Sequence, residues 1–299
     1  MEKTLVVILG PTGIGKTEVA IEVAKAFDTE IISADARQIY KEMEIGTAKP
    51  SPSQLMEVKH HFINTLSITE SYNVGQYEQD AMKVLEELYK KKDTAVMVGG
   101  SGLYIYALCH GIDEITTSDE DIRKELMLQL NTKGLASLQE ELKIADPAYY
   151  KEADLANTHR IIRALEVYRK TGLPYSSFRI SKKKERPFKV IKIGLNIDRK
   201  ELYNRINARV DAMIDAGLED EVKSLLPYKN YNSMNTVGYS EWLAYFDGKF
   251  TKEQTINYIK QNTRRYAKRQ LTWFRRDPEI VWFKPDDAKN IIAYIKTML

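Results

Sequence analysis

Leu5-Val6-Val7-Ile8-Leu9-Gly10-Pro11-Thr12-Gly13-Ile14-Gly15-Lys16-Thr17 joins an apolar run to a glycine-rich loop and a Lys-Thr pair, and Glu18 to Ala24 continue with helical periodicity. Gly10, Gly15, Lys16 and Thr17 satisfy the spacing G-x-x-x-x-G-K-[ST] in a strand–loop–helix context. The backbone N–H groups of such a loop, with the positive end of the following helix, make an anion cradle. Lys16 adds a point charge at the distal phosphate, and Thr17 offers its hydroxyl to a Mg²⁺ ion bridging phosphate oxygens. The tract from Gly10 to Thr17 thus points to a bound phosphate chain, against the bland alternative of a turn that binds nothing. It does not say whether the phosphates belong to a nucleoside triphosphate.

Working outward, the first 110 residues alternate short apolar runs with helical periodicity, the pattern of a parallel sheet covered by helices. Strands are expected at 4–9, 30–33 and 94–98. They end in Gly10 to Thr17, in Ser33-Ala34-Asp35 and in Gly99-Gly100-Ser101-Gly102. Ligands of open α/β sheets bind outside the carboxyl ends of the strands, so these loops are expected to form one site. From about Glu114, Lys/Glu-rich helical segments (119–131, 135–144 and 158–170) follow without an intervening strand pattern. Strand patterns return at 189–197 and 279–283. The expected fold class is α/β: a P-loop NTPase-like parallel sheet flanked by helices, 1–113 and 187–299, with an inserted all-helical domain, 114–186.

With 299 residues, 43% of them hydrophobic and 29% charged, the chain can bury a large core. Net charge is only +3 but unevenly spread. Lys260, Arg264, Arg265, Lys268, Arg269, Arg275 and Arg276 fall in a tract without Asp or Glu, and Arg179 to Arg186 form a second basic run. Such clusters suit a polyanion, or are solvated helix faces. Tyr266, Trp273 and Phe274 interleave the first tract, for stacking on RNA or for the core. The single Cys109 excludes an internal disulfide and suits a reducing compartment. No stretch reaches the roughly 20 apolar residues that span a bilayer. A cytoplasmic protein is expected, with no membrane partner and as a monomer.

Asp35 can ligate Mg²⁺, cap a helix or accept a proton. The 94–98 run ends in a Gly-rich loop where ordinary P-loop NTPases often place a metal-holding Asp, which argues against routine ATP hydrolysis. Ser101 is a hydroxyl where a large substrate could approach, or a turn residue. His60-His61 reads as a packed or hydrogen-bonded pair more readily than as a zinc site. Arg205 and Arg209, four apart on one helix, reach a phosphate-rich site or pair with Glu201 and Asp211.

Taken together these residues resemble the bacterial tRNA dimethylallyltransferases, also called isopentenyl-diphosphate:tRNA isopentenyltransferases. The resemblance runs through Gly10–Thr17, Ser33–Tyr40, Ile45-Gly46-Thr47-Ala48-Lys49-Pro50, His60-His61, Gly99–Tyr104, Arg160–Val167, Leu202-Tyr203 with Arg205, Arg209 and Asp211, Gly238-Tyr239 with Glu241, and Arg269-Gln270 with Thr272-Trp273. It implies that the phosphate loop takes dimethylallyl diphosphate, with Mg²⁺ on Thr17, and that the acceptor is the exocyclic amine of the adenosine 3′ of a tRNA anticodon. It implies catalytic roles for Asp35 as proton acceptor, Lys16, Ser101 and Arg209. It places Asp35, Ala36, Arg37, Gln38, Ser101, Arg123, His159, Arg160, Ile161, Ile162 and Arg163 against the anticodon stem-loop. Departures from the family pattern are Ala36 for a usual Ser, Glu44 for Asp and Ser101 for Thr. The competing readings are a P-loop small-molecule kinase, an adenylate isopentenyltransferase acting on free nucleotide, and a non-catalytic RNA-binding protein.

Overall fold

The computed structural model describes residues 2–113, 119–179 and 184–299. The chain divides into two compact units, 1–110 with 186–299, and 111–185. In the first, β1 (Thr4–Leu9), α1 (Lys16–Ala26), β2 (Ile31–Ala34), α2 (Pro52–Glu57), β3 (His60–His61), α3 (Val74–Tyr89), β4 (Thr94–Gly99) and α4 (Gly102–His110) precede the second unit. That unit holds α5 (Glu120–Ala145), α6 (Pro147–Glu152), α7 (Thr158–Thr171) and α8 (Tyr175–Phe178). The chain returns through β5 (Lys189–Leu195), α9 (Arg199–Asp215), α10 (Leu218–Ser224), α11 (Tyr239–Phe246), α12 (Lys252–Phe274), β6 (Val281–Phe283) and α13 (Ala288–Met298).

The strands form one sheet in the order β3-β2-β4-β1-β5-β6, and every pairing is parallel. A parallel sheet is covered on both faces, which explains the unbroken apolar run of β1. Leu5, Val7 and Leu9 face one core with Ile32, Met97 and Tyr77, while Val6 and Ile8 face the other with Val96, Ile193 and Val19 of α1. Each such buried side chain contributes about 1.5–3 kcal/mol by leaving water.

The strands expected at 4–9, 30–33, 94–98, 189–197 and 279–283 correspond to β1, β2, β4, β5 and β6, with β6 shortened to 281–283. The two-residue β3 has no sequence signature, and His60 and His61 pair with Ile31 and Ile32 at the sheet edge. His60 Nδ1 lies 2.8 Å from the Val58 carbonyl and His61 Nε2 lies 2.6 Å from Glu30. Cys109 is buried, and burial pushes its thiol up to about 12.

In the second unit the segments expected at 119–131 and 135–144 are one helix broken at Gly134, whose φ of 76° interrupts the α ladder. Leu126, Leu138, Leu142, Ile161 and Leu165 form its core. Asp146 staples three segments: it caps α6 through the Tyr149 amide at 2.9 Å and accepts from Ser176 N and Oγ at 2.6 and 2.7 Å. Lys182 and Lys183 of the second basic run lie outside the described residues. Among the described residues no helix is long and apolar enough to cross a membrane.

Candidate active site

Three loops at the carboxyl ends of β1, β2 and β4 meet as the sequence pattern implies. Gly15 caps α1 at φ 97°, a left-handed conformation that turns the chain into the helix at Lys16. A cavity of about 690 Å³ opens there, lined by Thr12 to Glu18, Asp35, Gln38, Thr47 to Pro50, His60, Arg205 and Arg209 among others. Lys16 Nζ donates to the Pro11 carbonyl at 2.9 Å. Burial first, and Arg209 second, pull its ammonium down to about 8, against the raising effect of Asp35 and Glu18.

Arg209 and Arg205 part company despite sharing a helix face. Arg209 Nη2 donates to Thr12 Oγ1 at 2.6 Å, while its Nε is covered and has no hydrogen-bond partner. Desolvation lowers the Arg209 pKa and Asp35 raises it. Arg205 instead pairs with Glu201 at 2.6 Å and touches the Ile14 carbonyl only at 3.5 Å. A guanidinium N–H without a partner beside a second cation is what an anion-binding floor looks like from the protein side.

Asp35 follows β2. Its Oδ1 accepts from the amides of Arg37 at 2.9 Å and Gln38 at 3.3 Å, a local turn that fixes the carboxylate against the strand end. Ser101 Oγ accepts from the Ala36 amide at 3.0 Å, and Ser101 N donates to the Ala34 carbonyl at 3.1 Å, which ties the β4 loop to the Asp35 loop. Gln38 donates to the carbonyls of Thr47 and Ala48 at 3.2 and 3.1 Å. That segment is anchored by Glu221, which accepts from the amides of Glu44, Ile45 and Gly46 at 3.1, 2.7 and 3.1 Å. Glu221 had no signal in the sequence. A second cavity, about 470 Å³, is lined by Asp35, Arg37, Ser101, Glu241, Tyr266 and Arg269 among others. Asp35 lines both cavities.

The basic tract on α12 divides by helical phase. Phe274 is core, whereas Tyr266 and Trp273 are 37% and 43% exposed, with the Arg269 guanidinium 5.6 Å over the Tyr266 ring. Arg264 turns inward to Asn207 at 2.6 Å. The core reading thus holds for Phe274, while Tyr266 and Trp273 stay partly exposed on the other side of the helix.

In the helical unit, Glu166 is fully buried and accepts from the Asp119 amide at 2.6 Å and from Arg163 at 3.2 Å, with Arg123 at 3.9 Å. His159 and Arg160 are exposed at the start of α7. Ile161 and Ile162, at 0% and 2% exposure, place their side chains in the core of the unit, so within this stretch the exposed side chains are those of the polar neighbours.

The model of the family described as IPP transferase matches residues 38–277. A tRNA dimethylallyltransferase 2 of Parabacteroides distasonis is 50% identical over 296 residues, covering 99% of each chain. A tRNA dimethylallyltransferase of Christiangramia forsetii is 53% identical over 300 residues, covering 100% of this chain and 99% of that one. The crystal structure of a tRNA isopentenylpyrophosphate transferase from Bacillus halodurans superposes with a TM-score of 0.72 at 37% identity, covering 99% of this chain and 96% of that one. With the phosphate loop, the Asp35 turn and the Ser101 loop in one site, this chain belongs to the IPP transferase family.

Proposed function

We infer that this protein transfers a dimethylallyl group from dimethylallyl diphosphate to the exocyclic amine of the adenosine 3′ of a tRNA anticodon, releasing diphosphate, as a cytoplasmic monomer. The relatives' names give the activity on tRNA. One observation carries the assignment to residues: Asp35 is common to the linings of the cavity holding Lys16 and Arg209 and the cavity holding Ser101, Tyr266 and Arg269. A carboxylate at that junction is within reach of both a donor and an acceptor.

An exocyclic adenine amine is a weak nucleophile because its lone pair is delocalised into the purine. Its nitrogen attacks the allylic carbon, the carbon–oxygen bond breaks with its electron pair going to diphosphate, and Asp35 takes the amine proton. The Arg37 and Gln38 amides hold Oδ1 so that the carboxylate is oriented beforehand. Lys16, Arg209 and the loop amides stabilise the departing diphosphate. The Thr17 hydroxyl and the Asp35 carboxylate are hard oxygen donors lining the same cavity, a set that suits Mg²⁺, which keeps most of its ligands as water and phosphate oxygen. When bound, Mg²⁺ neutralises diphosphate charge.

Ser101, Arg37, Gln38 and the backbone at Ala36 face the acceptor nucleotide. Arg123, His159, Arg160 and Arg163 give the helical unit a basic face for the anticodon stem-loop phosphates, with buried Glu166 setting the two nearest arginines. The test is incubation with labelled dimethylallyl diphosphate and either tRNA, AMP or ADP. Label on tRNA alone supports the reading; label on free nucleotide, or phosphoryl transfer from ATP without prenylation, overturns it.

A further inference from the structure

Gln270 is 6% exposed on the inner face of α12, and both ends of its amide are used. Its Oε1 accepts from the Thr12 amide at 2.8 Å, and its Nε2 donates to the Gly100 carbonyl at 2.9 Å. One side chain thus bridges the phosphate loop after β1 and the Ser101 loop after β4. The approach is close: a Cβ at Gly100 would lie 2.2 Å from Gln270 Nε2, so only glycine admits the bridge. One turn further along α12, Trp273 lies over Gly102, where a Cβ would meet the indole Cδ1 at 2.5 Å. The same helix carries Tyr266 and Arg269 into the second cavity.

The geometry points to Gln270 as a positioning residue that fixes the spacing between the donor half and the acceptor half of the site; this rests on the prenyl-transfer reading above. Thr12 is held from two sides, its amide by Gln270 and its hydroxyl by Arg209. Ser101 is held to the Ala36 amide. Gln270 joins these two rigid pieces, so the Lys16 and Arg209 floor keeps register with Asp35 and Ser101. A positional error of about 1 Å is enough to lower turnover about a hundredfold. The side chain is buried and both ends of its amide are bonded to the protein, so its loss is expected to act on turnover while leaving tRNA capture in place.

The test uses the full-length protein with Gln270→Met, Gln270→Glu and Gln270→Asn, each read as a ratio to wild type at saturating donor and tRNA. Gln270→Met keeps length but removes both hydrogen bonds. A kcat lowered at least tenfold with tRNA affinity within twofold supports the assignment; a kcat within twofold of wild type overturns it. Gln270→Glu keeps the acceptor for the Thr12 N–H but, ionised, cannot donate to the Gly100 carbonyl, and Gln270→Asn is one methylene too short to reach both partners. Each is expected to lower kcat at least tenfold with the KM for tRNA within twofold, a split that a general loss of structure would not give. A kcat within twofold of wild type in either overturns the bridge, and these variants decide if Gln270→Met does not fold. Wild-type protein that fails to prenylate tRNA overturns the parent reading instead; the bridge is then read from affinity for inorganic diphosphate with Mg²⁺, expected at least fivefold weaker in Gln270→Met, equality overturning it.

Discussion

Asp35→Asn tests the proposed proton-accepting role of Asp35 while keeping the turn in which the residue sits; it also removes the charge that raises the pKa values of Lys16 and Arg209. Oδ1 is occupied by the Arg37 and Gln38 amides, and an asparagine Oδ1 accepts the same two bonds, so the turn survives. What disappears is the basic second oxygen and the negative charge between the two cavities. A positioned general base is worth about 10²–10⁴-fold, or about 3–5 kcal/mol of barrier. The expected result is a kcat for labelled-prenyl transfer lowered by about that factor, tRNA affinity within about threefold, and stability within about 1 kcal/mol of wild type. Asp35→Ala is the contrasting variant: it also strips the acceptor from two turn amides, at about 1 kcal/mol each, and so is expected to melt earlier as well as turn over slowly. An Asp35→Asn enzyme that prenylates within threefold of the wild-type rate would refute the base assignment, since nothing else in the variant compensates for the lost carboxylate.

Lys16 titrates near 8 in the folded chain and at 10.5 in the unfolded one, so as pH falls from 10.5 to 8 the unfolded chain takes up the proton first and stability is lost, by at most about 3 kcal/mol. Between pH 8 and 9, below the range where Cys109 and the buried tyrosines ionise in the unfolded chain, denaturant unfolding should show a stability component that rises with pH, and Lys16→Met should remove it. Since a diphosphate prefers the protonated ammonium, inorganic diphosphate should bind with proton uptake near pH 8 and weaken at higher pH, measurable by calorimetry in buffers of different ionisation enthalpy. Arg209→Met removes a donor to the diphosphate and a charge that lowers Lys16, so diphosphate affinity should drop about 10–100-fold while its pH midpoint moves up; an unmoved midpoint would contradict the coupling. Glu166→Ala leaves the Asp119 amide without this acceptor and removes one partner of Arg163, and should cost about 1–3 kcal/mol in the helical unit. Hydrogen exchange should locate that loss in 119–179, with tRNA affinity falling and diphosphate affinity unchanged.

What could be read along the chain was what nearby residues determine. The phosphate loop is legible because strand, glycines, Lys16 and helix are contiguous, and the parallel sheet because its strands are apolar on both faces. The same logic explains the misses. β3 is two residues long and holds two histidines, so it carries no periodicity, and it exists only because the Ile31–Ile32 edge offers it a ladder. Ile161 and Ile162 share a motif with exposed Arg160, but a helix turns 100° per residue and delivers neighbours to opposite environments. Arg205 and Arg209 share a face by spacing, yet only Arg209 reaches Thr12; the choice depends on where α9 crosses the loop. Gln270 is 258 residues from Thr12 in sequence, and no local pattern announces that bond. Asp35 shows why the sequence left several roles open: Oδ1 accepts the two turn amides, which does not engage the second oxygen.

The charge arrangement explains why this phosphate loop suits a polyanion such as a diphosphate. Lys16 and Arg209 donate to neutral oxygens of Pro11 and Thr12; burial lowers the preference of both for the charged form, and Arg209 lowers that of Lys16 further. The folded chain therefore carries electrostatic strain that an entering polyanion relieves, so binding stabilises the ionised cations that the leaving group needs. Asp35 opposes that strain from the side of the second cavity, raising both pKa values. In the mechanism proposed above, Asp35 loses its charge on accepting the amine proton as diphosphate gains full charge, which frees the two cations for the leaving group. That mechanism couples proton acceptance to leaving-group stabilisation through the field of three side chains, and removing Arg209 or the Asp35 charge should move the pH midpoint of diphosphate binding set by Lys16, up and down respectively.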